Sequence, residues 1–572
     1  MTTTPVRLSP STTARGQQHP RPTTTALLVD QIRFGVKDLW RSRVSFIFTF
    51  LFPLTWLAIF GFLGGNAEVD PATGVRLVQS VTPSAAAMGV LYATLPSIAT
   101  TVAIARERGL MRRLRGTPLP MSTYIAGRIG ASVVFALGAV LTMVAFGVLV
   151  YDVQIQWRTV LASVVTVVVA IVCFSALGLA VAGVARSSAV AQGGSVAAAV
   201  VLAFVSGLFT IGGNLAWADR VAAVLPLKPF NDALAEQFNP YGSGAGWDLE
   251  ALAILLAWGL AGAAIAARTL RSDPARARSG RSRSRTPARR LPGTPDQVPV
   301  GARVPGAVRV SVDAAGRPPV WRLLAAQASW GVRAAARDIG WVFFAVAMPV
   351  GIFAFAMSSA PAGVRNPDGS PLVLVMAAGM TAFGVAVSSF INLPEAVARD
   401  RDAGILKRLR GTPLTTMVYL AGRTASAVLV ALATGALVVA TGALFWDLRV
   451  TAAGLLIAAG VVVVGVVTLA ACGFVLASLL PSANAMTAVG LGILLPLSFF
   501  SGVFAVGMVP QWMTTVGAFF PLKHVTDLLA GALAPAGPSV NAFAVAILLA
   551  WLVGASALAV RTFRWEPPEG KH

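Results

Sequence analysis

Long, nearly uncharged apolar runs are the feature that most constrains how this chain can fold. A helix that crosses a lipid bilayer needs about 20 consecutive apolar residues. Twelve runs of about this length lie at residues 44–64, 82–105, 124–151, 158–185, 189–211, 248–268, 340–359, 371–398, 419–446, 452–479, 483–507 and 541–562. Hydrophobic residues make up 56% of the chain and charged residues only 12%, whereas soluble domains average about half and about a quarter. We therefore predict an all-α integral membrane protein with twelve spans.

The second half of the sequence repeats the first. The stretch RERGLMRRLRGTPL that begins at Arg106 returns as RDAGILKRLRGTPL at Arg401, 295 positions later. The same offset relates Asp152 to Asp447, and it also relates the stretches SGLF and SGVF and the two PLK stretches. A fixed offset through polar, glycine and proline positions is difficult to obtain by chance in apolar sequence. We predict two tandem six-helix transmembrane units.

The segments outside the apolar runs divide the chain into domains. Residues 1–25 are rich in Thr, Pro, Ser and Arg and contain no apolar core of a secretory signal. Residues 271–320 combine arginine with Pro, Gly and Ser, a composition typical of a disordered linker. The predicted domains are a disordered tail at 1–25, a first unit at 26–270, an Arg/Pro-rich linker at 271–320, a second unit at 321–565 and a C-terminal tail at 566–572.

The basic residues fall on one side of the predicted spans. The formal net charge of +22 would suggest nucleic acid in a soluble protein, but here the arginines lie in short loops and in the linker. The positive-inside rule places such loops in the cytoplasm, so both termini and the linker should be cytoplasmic. An even number of spans then gives both units the same orientation, in a parallel pseudo-two-fold arrangement, and no nucleic-acid partner is expected.

Residues for catalysis within the chain are lacking. The sequence has only five lysines, and none completes the phosphate-binding motif G-x-x-x-x-G-K-[ST]. The two cysteines lie inside apolar runs, and the three histidines form no cluster in sequence. We predict no enzymatic activity, no metal site and no cofactor bound by this chain.

The basic loop after the second span is the most informative stretch. It opens with Arg106, Glu107 and Gly109, and the spacing of its leucines suits a short amphipathic helix that Gly116 and Pro118 end. A lipid-facing loop would need only positive charge. It would not explain why a glycine and an acidic residue are kept in both copies, which favours a protein-docking role.

This loop resembles the R-E-x-G-x-x-x-x-L-x-x-T-P stretch of ABC-2-type transporter permeases. The resemblance covers most of the chain, and the fusion of two units resembles permeases of actinobacterial polyketide and drug exporters. In that family the loop is a coupling helix that contacts a cytoplasmic ATPase subunit. The resemblance implies that the ATPase-docking residues are Arg106, Glu107, Gly109, Arg113, Arg115, Arg401, Asp402, Gly404, Arg408 and Arg410.

The same resemblance implies a function. The chain would be the membrane-spanning permease subunit of an ATP-driven exporter in the bacterial plasma membrane. Its cargo would be an apolar or amphipathic compound, such as an antibiotic, a polyketide or a lipid-like molecule. Two coupling loops predict two copies of the ATPase, which would hold the ATP and Mg²⁺.

A second repeated stretch lies on the opposite side. Lysine and aspartate four positions apart share one helix face and can pair, and the family has re-entrant helices here that act as an outer gate. The predicted gate residues are Pro226, Lys228, Asp232, Pro521, Lys523 and Asp527. An interfacial loop with a weak ion pair remains the alternative.

Aromatic residues near the ends of the fifth spans are candidates to line a pathway. These residues are Phe204, Phe209, Phe499 and Phe504. Packing against lipid or other helices is the alternative for each of them.

Two other functions fit twelve apolar spans. An ion-coupled efflux transporter of the major-facilitator kind also has twelve spans in two halves, but its usual G-x-x-x-D-[RK]-x-G-[RK]-[RK] loop is absent. A non-transporting membrane scaffold is the other alternative. Transport that depends on the proton gradient at constant ATP would favour the ion-coupled transporter. A lack of any substrate flux would favour the scaffold.

Overall fold

The computed structural model describes most of the two predicted units. The described residues are 23–64, 68–70, 75–114, 116–117, 119–208, 216–271, 319–361, 363–366, 369–410, 415–480, 483–504 and 510–562. The predicted tail at 1–25 lies outside them up to residue 22, the predicted linker does so from 272 to 318, and the C-terminal tail does so entirely. The first helix begins at Thr24, just inside the predicted tail.

The described part of the first unit consists of ten helices and a short β-hairpin. The helices are α1 (Thr24–Arg41), α2 (Arg43–Phe46, continued by Ile47–Leu51 and Phe52–Gly64), α3 (Leu77–Glu107), α4 (Leu110–Leu114), α5 (Met121–Tyr151), α6 (Val160–Val184), α7 (Ser188–Val205), α8 (Ala216–Val224), α9 (Leu227–Phe238) and α10 (Leu249–Arg271). Strands β1 (Glu68–Asp70) and β2 (Val75–Arg76) pair antiparallel between α2 and α3.

The described part of the second unit repeats these ten helices in the same order. They are α11 (Val320–Arg337), α12 (Ile339–Val342, continued by Phe343–Ala347 and Met348–Ser359), α13 (Leu372–Ala386, continued by Val387–Asn392 and Leu393–Asp402), α14 (Ile405–Arg410), α15 (Thr416–Trp446), α16 (Ala452–Leu479), α17 (Ala483–Phe500), α18 (Gln511–Gly517), α19 (Pro521–Ala532) and α20 (Ala542–Thr562). Each helix of the first unit therefore has a counterpart ten numbers later.

The twelve predicted spans all coincide with helices. Within the described residues, ten helices are long and apolar enough to cross a membrane, and the apolar helices Ile47–Phe62 and Ala485–Phe500 occupy the other two predicted positions. The predicted fifth spans, 189–211 and 483–507, are too long, because α7 ends at Val205 and α17 ends at Phe500. Gly207 and Gly502 follow with positive φ angles of 77° and 69°, a conformation that ends a helix.

A close helix crossing fixes the helix that precedes the first span of each unit, where QIRFGV at Gln31 returns as QASWGV at Gln327. The amphipathic helix α1 lies on α5, where a Cβ atom at Gly127 would collide with the side chain of Gln31. In the second unit α11 lies on α15, and Gly422 faces Gln327 in the same way. Only glycine permits this approach. Each amphipathic helix is thus fixed to the third span of its own unit.

The two units pack against each other through exchanged pairs of helices. Helix α7 meets the start of α12, where Gly193 and Gly340 bring the two backbones together. Helix α17 meets α2, and Phe60 contacts Phe499 with ring centroids 6.2 Å apart. Because the same contact occurs twice with the units exchanged, the arrangement is that of a parallel pseudo-two-fold repeat, which confirms the predicted fold class.

Candidate functional site

Each basic loop begins with a sharp break between two helices. Helices α3 and α13 end at Glu107 and Asp402, and the next glycines, Gly109 and Gly404, both have a φ angle of +70°. Side-chain-bearing residues rarely adopt this left-handed conformation. The short helices α4 and α14 begin directly after these glycines. The glycine kept in both copies is therefore explained by the backbone.

An arginine in each loop holds the end of the fourth span. Arg106 donates hydrogen bonds to the carbonyl oxygens of Gly183, at 3.0 Å, and Ala185. Arg401 donates to those of Ala477 and Leu480, each at 3.2 Å. These carbonyls end α6 and α16 and lack partners within their helices. A cation is favourable there because it also faces the negative end of the helix dipole.

The acidic residue beside each arginine holds the start of the fifth span. The Glu107 carboxylate accepts a hydrogen bond from the backbone N–H of Ser188, at 2.9 Å, at the start of α7. The Asp402 carboxylate accepts one from the N–H of Ala483, at 3.0 Å, at the start of α17. An anion at a helix N-terminus satisfies a free backbone donor and the helix dipole together.

The arginine and the carboxylate together form a clamp, which we define as Arg106–Glu107 in the first unit and Arg401–Asp402 in the second. Each clamp fixes the end of the second span to the turn between the fourth and fifth spans. Arg401 is only 4% exposed, so its guanidinium is committed to this internal contact. The predicted docking role of the clamp residues stays a prediction.

Basic side chains further along the loops face outward. Arg113 on α4 and Lys407 and Arg408 on α14 are exposed, whereas Leu406 is fully buried and anchors α14. We call Arg113, Lys407 and Arg408 the basic loop surface. Arg410 ends α14, and the predicted residue Arg115 lies outside the described residues.

An arginine with little exposed surface lies near each loop, and neither was among the residues predicted from the sequence. Arg128 on α5 pairs with Asp38 of α1, with an N–O distance of 2.6 Å. Its counterpart Arg423 on α15 pairs instead with Asp400 of α13, and Asp400 also accepts a hydrogen bond from Tyr419 at 3.0 Å. The AGR stretch shared by both copies was the available signal. The acidic partners were not evident, because they lie on different helices in the two units.

The predicted ion pairs at the opposite end of the bundle are present. Lys228 on α9 lies 2.9 Å from Asp232 and 3.5 Å from Asp219. On α19, Lys523 pairs with Asp527. Burial tends to lower the pKa of Lys228, but the hydrogen bonds and negative charges of the two aspartates outweigh burial, so the pKa is raised. Pro226 and Pro521 stand at the starts of the two helices.

The predicted pathway phenylalanines lie near the contact between the units. Phe204 contacts Phe355 of the other unit, with ring centroids 6.2 Å apart. Phe499, which contacts Phe60, also contacts Phe504 at 4.9 Å. Phe209 lies outside the described residues. Two of the four residues, Phe204 and Phe499, therefore contact the other unit, whereas Phe504 packs within its own unit, and helix packing accounts for the observed contacts.

Comparison with known proteins gives one family match, which occurs twice. A family model described as ABC-2 type transporter matches residues 32–238 and again residues 326–534. A comparison with curated proteins gives no match. The two matched ranges contain both clamps, both basic loops and both Lys–Asp pairs.

Proposed function

The chain belongs to the ABC-2 type transporter family, and from this premise we propose that it is the permease subunit of an ATP-driven exporter. The family supplies the membrane component of an ABC transporter rather than a catalyst. The proposed exporter moves an apolar or amphipathic compound out of a bacterial cell, with antibiotics, polyketides and lipid-like molecules as the cargo classes. ATP and Mg²⁺ bind to a separate ATPase subunit, of which one chain engages two copies.

The observation that carries this proposal is the duplicated clamp with its exposed basic helix. The clamp ties each short helix to three spans, because Arg106 and Glu107 join the second span to the fourth and fifth. A force applied to α4 or α14 by a bound partner would therefore move several spans together. The exposed Arg113 and Arg408 offer a charged surface for a soluble partner. An anchored helix with an unanchored face suits the transmission of force from an ATPase.

The proposed orientation follows from the same loops. The basic loop surface and the amphipathic helices α1 and α11 lie at one end of the bundle, and positive loops stay in the cytoplasm. The Lys228–Asp232 and Lys523–Asp527 pairs then lie outside. Helices α8, α9, α18 and α19 are short, with 7 to 12 residues, so they are too short to cross a bilayer. We assign them to the outer gate.

Charge reversal at the basic loop surface tests the ATPase contact. We expect the double variant Arg113→Glu, Arg408→Glu to lose co-purification with its ATPase subunit and to lose cargo-stimulated ATP hydrolysis. Neither side chain belongs to the clamp, so the permease should still fold. The matched control, Arg365→Glu with Arg449→Glu, makes two reversals at the opposite end of the bundle and should leave both readouts unchanged.

Charge reversal at the two acidic clamp residues is a second test of the proposal. Glu107→Arg with Asp402→Arg places cations at the positive ends of α7 and α17, so we expect loss of coupling together with a lower unfolding temperature. If ATP hydrolysis remained coupled to transport in both double variants, these loops would not be the ATPase contact. A tag in the 272–318 linker that reacts with an external reagent would overturn the proposed topology.

A further inference from the structure

A cavity at the loop end of the first unit is not used by the fold or by the proposed ATPase contact. Its volume is about 650 Å³, and it lies between α1, α2, α3 and α7, with Ala485 of α17 completing the wall. It therefore reaches the seam where the two units meet. A volume in this range accommodates a small organic molecule.

The equivalent space in the second unit is mostly filled. The corresponding cavity has a volume of about 170 Å³. As far as the first span the offset between the two copies is 296, as in Gln31 and Gln327, so Trp341 stands there at the position of Ser45 in the first unit. Further along the chain the offset is 295, so Arg399 stands at the position of Ile104. Arg399 bridges Asp338 at 3.3 Å and Glu395 at 3.0 Å. One unit thus keeps an open cavity that the other closes with an indole ring and an ion-pair chain.

The deep wall of the open cavity presents aromatic surface. The rings of Phe48 and Tyr92 contact each other with centroids 5.4 Å apart. Tyr92 and Ser97 are only 2% and 6% exposed, and their hydroxyl oxygens have almost no accessible surface. The surface available to a ligand on this wall is therefore mainly the apolar surface of the aromatic rings, which suits an apolar body.

The rim of the same cavity is positively charged. Arg41 and Arg108 line it and are exposed. Asp38 is the acidic residue among the described lining residues, and it is already paired with Arg128. The lining therefore has an excess of two positive charges. In the second unit the position of Arg108 is taken by Ala403, whereas Arg41 has a counterpart in Arg337. One of the two rim charges is therefore particular to the first unit.

We propose that this first-unit cavity binds an amphipathic organic anion, with its apolar body on Phe48 and Tyr92 and its acidic head at Arg41 and Arg108. The proposal rests on the proposed transport function and narrows the cargo from an apolar or amphipathic compound to an amphipathic acid. It also assigns the loading of cargo to one unit rather than to both. A single site fits an arrangement in which two ATPase contacts drive one asymmetric path.

Binding to the full-length chain without its ATPase tests the inference separately from the proposed function. The probes are pyrenebutyrate and its neutral analogue pyrenebutanol, measured by equilibrium dialysis against the chain in phosphatidylcholine nanodiscs, with protein-free nanodiscs subtracted. We expect saturable binding of the acid and much weaker binding of the alcohol. Equal binding of the two probes would overturn the assignment of an anion site.

Two variants locate the site. Ser45→Trp introduces the side chain that fills the second unit and should abolish saturable binding. Arg41→Gln with Arg108→Gln changes only the exposed rim and should raise the Kd about tenfold, as loss of two partly solvated charge contacts would. The control Arg33→Gln with Lys37→Gln removes the same charge from exposed positions of α1 that do not line the cavity, and it should leave the Kd unchanged. An unchanged Kd in the rim variant would refute the proposal even if Ser45→Trp failed to fold.

The anion could reach the cavity from the water or from the membrane. Repeating the titration in nanodiscs that contain phosphatidylglycerol separates these sources. Competition that disappears in the rim variant assigns the site to an anionic lipid headgroup. An affinity that does not depend on phosphatidylglycerol assigns it to a water-borne cargo. Failure of the ATPase to co-purify would leave these binding results intact.

Discussion

Arg128 and Arg423 occupy the same position in the two units, but they are neutralised from different directions. Asp38 on the amphipathic helix pairs with Arg128, and its counterpart in the second unit is Ala334. Asp400 on the second span pairs with Arg423, and its counterpart in the first unit is Ala105. Each arginine is therefore paired with an acid from a different helix. Both units keep a paired arginine at this position, but they do not keep the helix that supplies the acid.

The exchange has a structural consequence. In the second unit the acid lies on the span itself, the indole of Trp330 covers Arg423 at 4.2 Å, and the pocket is nearly closed. In the first unit the acid lies on α1, and the space beside α3 stays open. Two units with the same helices can therefore serve different purposes. One is a packed support, and the other holds a cavity.

The opposite end of the bundle differs as well. Gln79 at the start of α3 donates hydrogen bonds to the carbonyl oxygens of Gln154 and Phe238, at 2.9 and 2.7 Å. Its counterpart is Leu374, which is buried in an apolar cluster. At this end the first unit joins its elements by hydrogen bonds, whereas the second joins them by hydrophobic packing.

Removal of the buried acid should give the largest difference between the units. Asp400→Ala leaves the guanidinium of Arg423 buried and unpaired, so we expect the free energy of unfolding to fall by about 3–5 kcal/mol. Asp38→Ala should cost less, about 1 kcal/mol, because the Asp38 side chain is 47% exposed and Arg128 lines the open cavity, where water can solvate its guanidinium. Unfolding in mixed micelles measures both values.

A transplanted acid sharpens this test. Ala334→Asp places a carboxylate at the position that Asp38 occupies in the first unit. Combined with Asp400→Ala, it should restore part of the lost stability. Equal losses of stability in Asp400→Ala and Asp38→Ala would contradict this account. So would a double variant Ala334→Asp, Asp400→Ala that is no more stable than Asp400→Ala alone.

Replacement of Gln79 by its counterpart should have the next largest effect. The backbone N–H of Gln154 donates a hydrogen bond to the side-chain oxygen of Gln79 at 3.1 Å. Gln79→Leu removes this acceptor, so we expect the free energy of unfolding to fall by about 1–3 kcal/mol. The reciprocal Leu374→Gln should also destabilise the protein, since it places an amide in an apolar cluster. Thermal unfolding of both variants tests whether the side chains at these two positions are interchangeable. An unchanged unfolding temperature in either variant would show that they are.

The loop glycines should behave alike in both units. Gly109→Ala and Gly404→Ala each force a Cβ-bearing residue into a left-handed conformation, which costs about 1–2 kcal/mol. No atom lies within 4 Å of the added methyl group at either position, so the cost is conformational. Gly554→Ala is the control, because this helical glycine also has open space around it and its replacement should be neutral or stabilising. Clearly unequal losses at the two loop glycines would show that the loops are not equivalent.

The Lys–Asp pairs should show the smallest effect. Double-mutant cycles on Lys228 and Asp232, and on Lys523 and Asp527, should give coupling energies of about 0.3–0.5 kcal/mol. Because the pKa of Lys228 is raised, its pairing contributes stability at neutral pH and loses that contribution only as the pH rises through the raised value in the alkaline range. A coupling energy that fell between pH 6 and 8 would contradict this account.

Features that depend on near neighbours could be predicted from the amino-acid sequence. The apolar runs set the twelve helices, because a span needs only its own residues to be apolar. The Lys228–Asp232 and Lys523–Asp527 pairs were predictable because residues four positions apart share a helix face. The repeat and the glycine-containing basic loop were visible as fixed offsets and short motifs. From these features the family and the two-unit fold followed.

Contacts between groups far apart in sequence became evident from the packing of the helices. Arg106 contacts carbonyls 77 and 79 positions away, and Glu107 contacts an N–H 81 positions away. The acidic partner of Arg128 lies 90 positions before it, whereas that of Arg423 lies 23 positions before it. Neither distance is encoded in a local pattern, because such contacts depend on how helices cross. For the same reason the open cavity of the first unit, and its closure in the second, could be seen only once the helices were packed.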